Sequence, residues 1–310
     1  MVRSASLLIL IFLFQSCAAL FPKPQRPRYP RYNQAYKKPP RGFDNIKKKV
    51  ALLPFFNESP FGKEDLAITA SEEFRKELSR ARDYIFDDEG ASIFGESRDI
   101  YAGGGMKLAT LARKAKISGI NLVIYGRIVD AKVTQKADEI GLVRKTRSYA
   151  ESILEIKVFD VQANKEVYSN KKDGNVNDSA YKLFNAEREA AIEYQRGLLR
   201  YSIKVAARRF VPDVAKLGAK LNWTGRVAKI IGSKIYINAG RISGINKGDI
   251  LRVLTEGSDV FDPETGAMLG VSKGQVKGTL EVIDYFGEDG AVAVLHSGGT
   301  VTEGDFVQLY

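Results

Sequence analysis

One cysteine, one histidine and one tryptophan among 310 residues limit the chemistry open to this chain. A disulfide within the chain needs two cysteines. A structural zinc site of the Cys/His kind needs four ligands and is excluded by count. A Ser-His-Asp triad would have to use His296, but Leu295-His296-Ser297-Gly298-Gly299 has none of the strand-to-helix glycine pattern of a nucleophile elbow, so this histidine reads as a surface turn residue. Long apolar runs are also scarce. The run Leu7–Phe14 is well short of the roughly 20 residues that a membrane-spanning helix needs. No constellation of acid, base and nucleophile emerges, and the expectation is a non-enzyme without cofactor or metal.

The net positive charge is concentrated in one stretch. The net charge is +11, yet residues 18–50 hold ten basic side chains against Asp44 alone. With Arg3, that stretch accounts for all but one of the net charges, so residues 51–310 are nearly neutral. A near-neutral body is a poor electrostatic platform for a duplex, which argues against a nucleic-acid partner. With 44% hydrophobic residues, the chain has material for a packed core.

At the start of the chain, Arg3 precedes the apolar run, and Ser16-Cys17 follows it. The arrangement has the form of a signal peptide over residues 1–17. The small Ser16 before Cys17 resembles the lipobox of bacterial lipoproteins. That resemblance implies acylation of Cys17, which would become the mature N-terminus and leave no free thiol. Each buried methylene contributes about 0.8 kcal/mol, and two or more chains hold a protein stably where one does not. Ala18, rather than aspartate, follows the cysteine, which implies the periplasmic face of the outer membrane. The alternative is an ordinary secretory leader cut after Ala18 or Ala19.

Residues 18–45 form a basic, proline-rich stretch that includes Phe21-Pro22-Lys23-Pro24-Gln25-Arg26-Pro27-Arg28-Tyr29-Pro30 and Lys37-Lys38-Pro39-Pro40-Arg41. Six of the ten prolines lie here, without apolar periodicity. Such a segment is a semi-rigid polyproline II spacer, able to reach on the order of 90 Å when extended. It reads as a tether, with Tyr29, Tyr32 and Tyr36 available to stack on peptidoglycan sugars and the basic residues on anionic lipid.

Residues 46–222 read as an α/β domain. Val50-Ala51-Leu52-Leu53-Pro54-Phe55-Phe56 is a strand buried on both faces. A helix follows, with Asp65 as its cap and Ala67, Ala70, Phe74 and Leu78 inward. A short strand is expected over 83–87, and Gly103-Gly104-Gly105 reads as a loop rather than a phosphate cradle, because no Lys-Ser/Thr follows it. Asp87, Asp88 and Glu89 lack the regular spacing of a cation site. A second helix carries Leu108, Leu111, Ala112 and Ala115 inward and ends at Gly119. Strands are expected at 122–129, 153–161 and 166–169. A final helix is expected to start at Asn177 or Asp178, with Tyr194, Leu198, Tyr201 and Val205 as its core stripe and a kink or end at Pro212. The result is a mixed sheet with packed helices.

The strand Val50–Phe55 followed by Asn57-Glu58-Ser59, with Gly119-Ile120-Asn121-Leu122-Val123-Ile124-Tyr125-Gly126-Arg127-Ile128 and Phe159-Asp160-Val161, is similar to the TolB N-terminal-like and CsgG-like periplasmic domains. In residues 223–310, turn signals recur every 8–12 residues and helical periodicity is absent, as in a small all-β barrel. Asn238-Ala239-Gly240-Arg241, Gly244-Ile245-Asn246-Lys247-Gly248-Asp249, Asp262-Pro263-Glu264-Thr265-Gly266 and Gly304-Asp305 resemble the C-terminal SH3-like domain of the flagellar assembly protein T family. That family carries a further N-terminal domain, whose place the proline-rich stretch takes here.

Together these resemblances imply an envelope scaffold at the flagellar basal body, binding the membrane through Cys17 and motor proteins through its folded domains, in a ring of copies of this chain. A regulator of peptidoglycan synthases, similar to the LpoB lipoproteins, is the first alternative. A CsgG-like secretion component is the second, although its membrane hairpin would have to use the charged stretch between Val129 and Tyr149.

Overall fold

The computed structural model describes residues 46–138, 145–181, 188–266 and 268–310; Cys17 and the stretch 18–45 lie outside the described residues. The first half of the chain forms strands β1 (Lys48–Leu52), β2 (Phe56–Asn57) and β3 (Tyr84–Phe86) and helices α1 (Lys63–Ser79), α2 (Asp88–Ala91) and α3 (Ser97–Ser118). Three long strands follow, β4 (Leu122–Asp138), β5 (Lys145–Asp160) and β6 (Lys165–Tyr181), and then α4 (Arg188–Lys220). They build one mixed sheet in the order β3-β1-β4-β5-β6, with β2 pairing to β4. β1 runs parallel to both β3 and β4, whereas β4, β5 and β6 form an antiparallel meander.

The two-residue period of β1 assigns its side chains to two cores. Val50 and Leu52 pack with Phe74 and Leu78 of α1 and with Ile203 and Phe210 of α4. Ala51 and Leu53 face the other way, against Ile100, Leu108, Ala112 and Ala115 of α3. Helices therefore cover both faces of β1 from Val50 on, which is why Val50-Ala51-Leu52-Leu53 is an unbroken apolar run.

Several local expectations are corrected. Helix α1 opens two residues before Asp65, with Gly62 as its N-cap in a left-handed conformation (φ 76°). Asp65 lies in the first turn and pairs with Arg200 of α4 at 2.8 Å. Gly103–Gly105 is not a loop: the stretch lies inside α3, which bends at Gly104 (φ 62°, ψ −168°). Gly119 does end that helix, in a left-handed cap (φ 77°). Asn177 and Asp178 do not start the last helix. They lie in β6, opposite Tyr149 and Ser148 of β5. Polar residues read as a cap there because β6 has its apolar side chains thinly spaced; Val176 packs against the core and Gly174 lies under α4.

Helix α4 runs through Pro212 to Lys220, with Lys172 donating to the Arg209 carbonyl beside the proline at 2.7 Å. Its core stripe is Leu199, Ile203, Ala206, Phe210 and Val214 together with Leu198, the one buried member of the expected stripe; Tyr201 and Val205 are half-buried and Tyr194 is exposed. The charged stretch after Val129 also forms strand. β4 and β5 stay paired out to Asp138 and Lys145, and Lys132 meets Glu151 across the ladder at 2.9 Å.

The remainder forms β7 (Gly225–Ile231), β8 (Lys234–Ile237), β9 (Ile250–Leu254), β10 (Asp259–Phe261), β11 (Met268–Val271), β12 (Val276–Phe286), β13 (Gly290–Gly298) and β14 (Phe306–Leu309). Six of these close a barrel in the order β12-β13-β8-β7-β14-β9 around Val227, Ile237, Leu251, Leu280 and Val307. The hairpin β10–β11 stands outside the barrel. Its turn is the Asp262-Pro263-Glu264-Thr265-Gly266 stretch, where the Asp262 carboxylate accepts from the backbone of Glu264 and Thr265 and Gly266 takes φ 67°. The described residues thus form an α/β domain with a mixed sheet followed by a closed β-barrel, within one compact unit. No described helix is long and apolar enough to cross a membrane.

Candidate functional site

The residues that enter β1 belong to both cores. Ile46 is buried among the barrel residues, while Val50, four positions on, is buried in the sheet. Between them the backbone and side chains alternate partners. The Lys47 amide donates to the Ser243 carbonyl of the barrel at 2.8 Å, and the Lys48 amide donates to the Asp83 carbonyl of the sheet domain at 2.9 Å. The Lys49 ammonium donates to the Asn238 carbonyl at 3.0 Å and stands 3.7 Å from the Asp289 carboxylate. Asp289 is itself held in place, accepting from the Gly240 and Ser243 amides at 2.9 Å and from the Ser243 hydroxyl.

Asn121 closes the junction from the other side. Its amide oxygen accepts from the Lys49 backbone at 3.0 Å, and its amide nitrogen donates to the Thr224 carbonyl at 2.7 Å in a buried position. Gly119 makes this approach feasible. A Cβ there would sit 2.4 Å from the Asn238 side chain, and the backbone is in the left-handed region that glycine tolerates. Two ion pairs extend the seam along α3: Lys116 with Glu256 at 3.3 Å and Arg113 with Asp259 at 3.7 Å. Buried polar groups that are satisfied only across the junction tie the two parts together, since separating them would leave these groups unpaired.

An aromatic ladder lies beside α3. Phe56, Tyr101 and Tyr125 meet edge to face at centroid distances of 5.5 and 5.4 Å. The Arg127 guanidinium lies 4.6 Å over the Tyr101 ring and donates to Glu155 at 2.6 Å. The Tyr125 hydroxyl donates to Glu166 at 3.0 Å, a carboxylate that also pairs with Lys157 at 3.1 Å. Burial, reinforced by the neighbouring carboxylates, pushes both tyrosine hydroxyls far above the ordinary phenol value. They hold their protons at neutral pH and do not serve as bases. Next to the ladder, a cavity of about 560 Å³ opens between α3, the β5–β6 turn and Phe261 of the β10–β11 hairpin.

The structure accounts for each residue singled out for chemistry among those described. His296 lies exposed on β13, 3.8 Å from Glu281, rather than in a turn. Asp87 caps α2 by accepting from the Gly90 amide, and Asp88 forms a two-pronged pair with Arg75. No group of three or more His, Cys, Asp or Glu side chains among the described residues is placed to hold a metal. The junction residues Lys49 and Asp289 carry no local signal. Gly119 and Asn121 belong to the stretch that resembles the TolB N-terminal-like domains and Asn238 to the stretch that resembles the SH3-like barrel, and neither resemblance points to a junction.

No family model matches the chain, and no curated protein matches it. Among solved structures it is similar to lipoprotein GNA1162 from Neisseria meningitidis at 18% identity and TM-score 0.29, covering 48% of this chain and 98% of that one. It is also similar to a minor lipoprotein from Acinetobacter baumannii at 11% identity and TM-score 0.30, covering 55% and 94%. The LpoB C-terminal domain from Escherichia coli is similar at 15% identity and TM-score 0.27, covering 43% and 84%.

Proposed function

We propose that this chain is a non-enzymatic lipoprotein of the bacterial envelope, anchored through acylated Cys17 to the periplasmic face of the outer membrane. Its role is that of a scaffold or assembly factor. The observation that carries this reading is the double membership of Ile46–Val50. The segment that follows the proline-rich stretch is built into the barrel core at Ile46 and into the sheet core at Val50. A load applied through a tether would thus be borne by both parts at once, as a scaffold requires. Within this reading, the complex is a ring at the flagellar basal body, as the motifs of the barrel imply. Tagging the protein and imaging motors in a deletion strain tests this. Normal motors and normal swimming without the protein would sink the flagellar assignment and leave the anchored scaffold standing.

The second reading is a regulator of peptidoglycan synthases, favoured by a proline-rich stretch ahead of an α/β domain. Co-purification of a penicillin-binding protein, with motors unaffected by deletion, decides for it. Ion conductance in planar bilayers would instead favour a secretion component.

A further inference from the structure

The path of the chain forces a crevice at the carboxyl end of β1. From β1 the chain crosses to β3 through α1, and from β3 it returns past β1 to β4 through α2 and α3. Since α1 packs with one core and α3 with the other, the two connections leave opposite faces of the sheet. Open α/β sheets place ligands in the cleft that such a reversal of direction leaves beyond the strand ends. Here that cleft has a volume of about 1020 Å³.

Its floor is Leu53, Pro54, Phe55 and Phe56, and the floor is pinned. The Phe55 amide donates to the Ser71 hydroxyl at 2.9 Å, and the Pro54 carbonyl accepts from the Ser97 amide at 3.3 Å. Ile68 projects from the α1 wall with 57% of its surface exposed, an apolar side chain facing the cleft and not covered by the fold. The charges on the rim are unequally used. Arg75 is taken up by Asp88 at 2.6 Å and Arg98 by Glu64 at 3.2 Å. Each guanidinium also lies over a phenylalanine ring, Phe86 and Phe56 respectively. Glu72 and Glu96, on opposite walls, have no ion-pair partner among the described residues. The cleft therefore offers apolar surface and two unneutralised carboxylates, with its cations already engaged.

We propose that this crevice docks a peptide segment of a partner protein in which arginine or lysine stands beside leucine or another apolar residue. The apolar side chain covers the exposed Ile68 and Pro54, and the cation meets Glu72 or Glu96. An acidic or purely apolar segment would leave those two carboxylates desolvated and unpaired, which opposes binding. This inference does not depend on the flagellar assignment.

Full-length protein in detergent is titrated against a fluorescein-labelled probe peptide of alternating arginine and leucine, and against its counterpart with glutamate for arginine. Saturable binding of the arginine peptide alone, weakening as salt is raised, is expected. Glu72→Gln and Glu96→Gln should each weaken it by roughly two- to fivefold, the size of an exposed ion pair. Ile68→Asp should weaken it by about tenfold or more, as loss of an apolar anchor does. Glu288→Gln, in a barrel turn, should leave it unchanged. Equal binding of the glutamate peptide, binding indifferent to the three crevice substitutions, or no saturable binding would each overturn the proposal.

Discussion

The Lys49 ammonium and the Asp289 carboxylate stand 3.7 Å apart, one on the first strand of the sheet and the other in a turn of the barrel. Both side chains are largely buried, and their other hydrogen bonds run to the barrel backbone. The partners are not equivalent. Lys49→Ala removes one ion pair and one bond to the Asn238 carbonyl, and should cost about 2 kcal/mol. Asp289→Ala also strands the Gly240 and Ser243 donors and should cost about 4 kcal/mol. Urea unfolding of both variants checks this order. A larger loss for Lys49→Ala would mean that the turn, and not the junction, was misjudged.

Gly174 of β6 is the point where α4 comes closest to the sheet. A Cβ there would sit 2.0 Å from the Ser202 carbonyl and 2.9 Å from the Ala206 backbone nitrogen. Ser202 also donates to the Gly174 carbonyl at 2.8 Å. Both contacts involve backbone, so Gly174→Ala should push the helix away and cost about 1–3 kcal/mol. Gly197, on the same helix with open space around it, is the control: its alanine variant should be neutral or more stable. Thermal melts of the two compare them directly.

Gly104 bends α3 with a φ/ψ pair that is almost restricted to glycine. Although nothing would touch a Cβ there, Gly104→Ala should destabilise by roughly 1–3 kcal/mol through backbone strain alone. Gly197→Ala, in α4 with open space around it and no positive φ, should lose much less. Equal melting temperatures for the two variants would show that the bend carries no strain.

Asp160 ends β5, where it accepts from the Gln162 and Ala163 amides at 2.8 and 2.9 Å. Burial, the larger influence, raises its pKa above the ordinary carboxylate value despite those bonds. The folded form therefore binds the proton more tightly than the unfolded form. Its favourable contribution is fully present below the unfolded pKa of about 3.9 and is lost as pH rises through the folded pKa. Asp160→Asn keeps the acceptor and removes the buried charge. The melting temperature of the variant relative to the parent should rise from pH 4 to pH 7. A difference independent of pH would contradict this.

Acylation of Cys17 would remove the protein from solution. Cys17→Ser should move it from the membrane fraction to the soluble one, since the leader alone is too short to span a bilayer. Mass spectrometry of the mature N-terminus should show acyl chains on the parent only. An unmodified parent cysteine would remove the anchor from the proposed function while leaving the folded unit as described.

What the sequence determined by itself is the class of architecture and the position of most strands. The apolar run from Val50 reads as a strand covered on both faces, although the strand itself stops at Leu52, and the turn-rich residues 223–310 read as strands of a barrel, because local periodicity reports which side of each segment meets water. The start of β4 at Leu122 was legible to the residue for that reason. The start of α4 was not, because the polar end of β6 is held by backbone pairing to Tyr149 and Ser148, which leaves no mark on side-chain composition. Only the tertiary structure decided the junction and the crevice. Lys49 and Asp289 look like any charged residues until the fold brings them together, and Glu72 and Glu96 differ from Glu64 in forming no ion pair among the described residues, the nearby Arg75 and Arg98 being taken up by Asp88 and Glu64. A pairing between distant parts of the chain depends on geometry that local sequence does not encode.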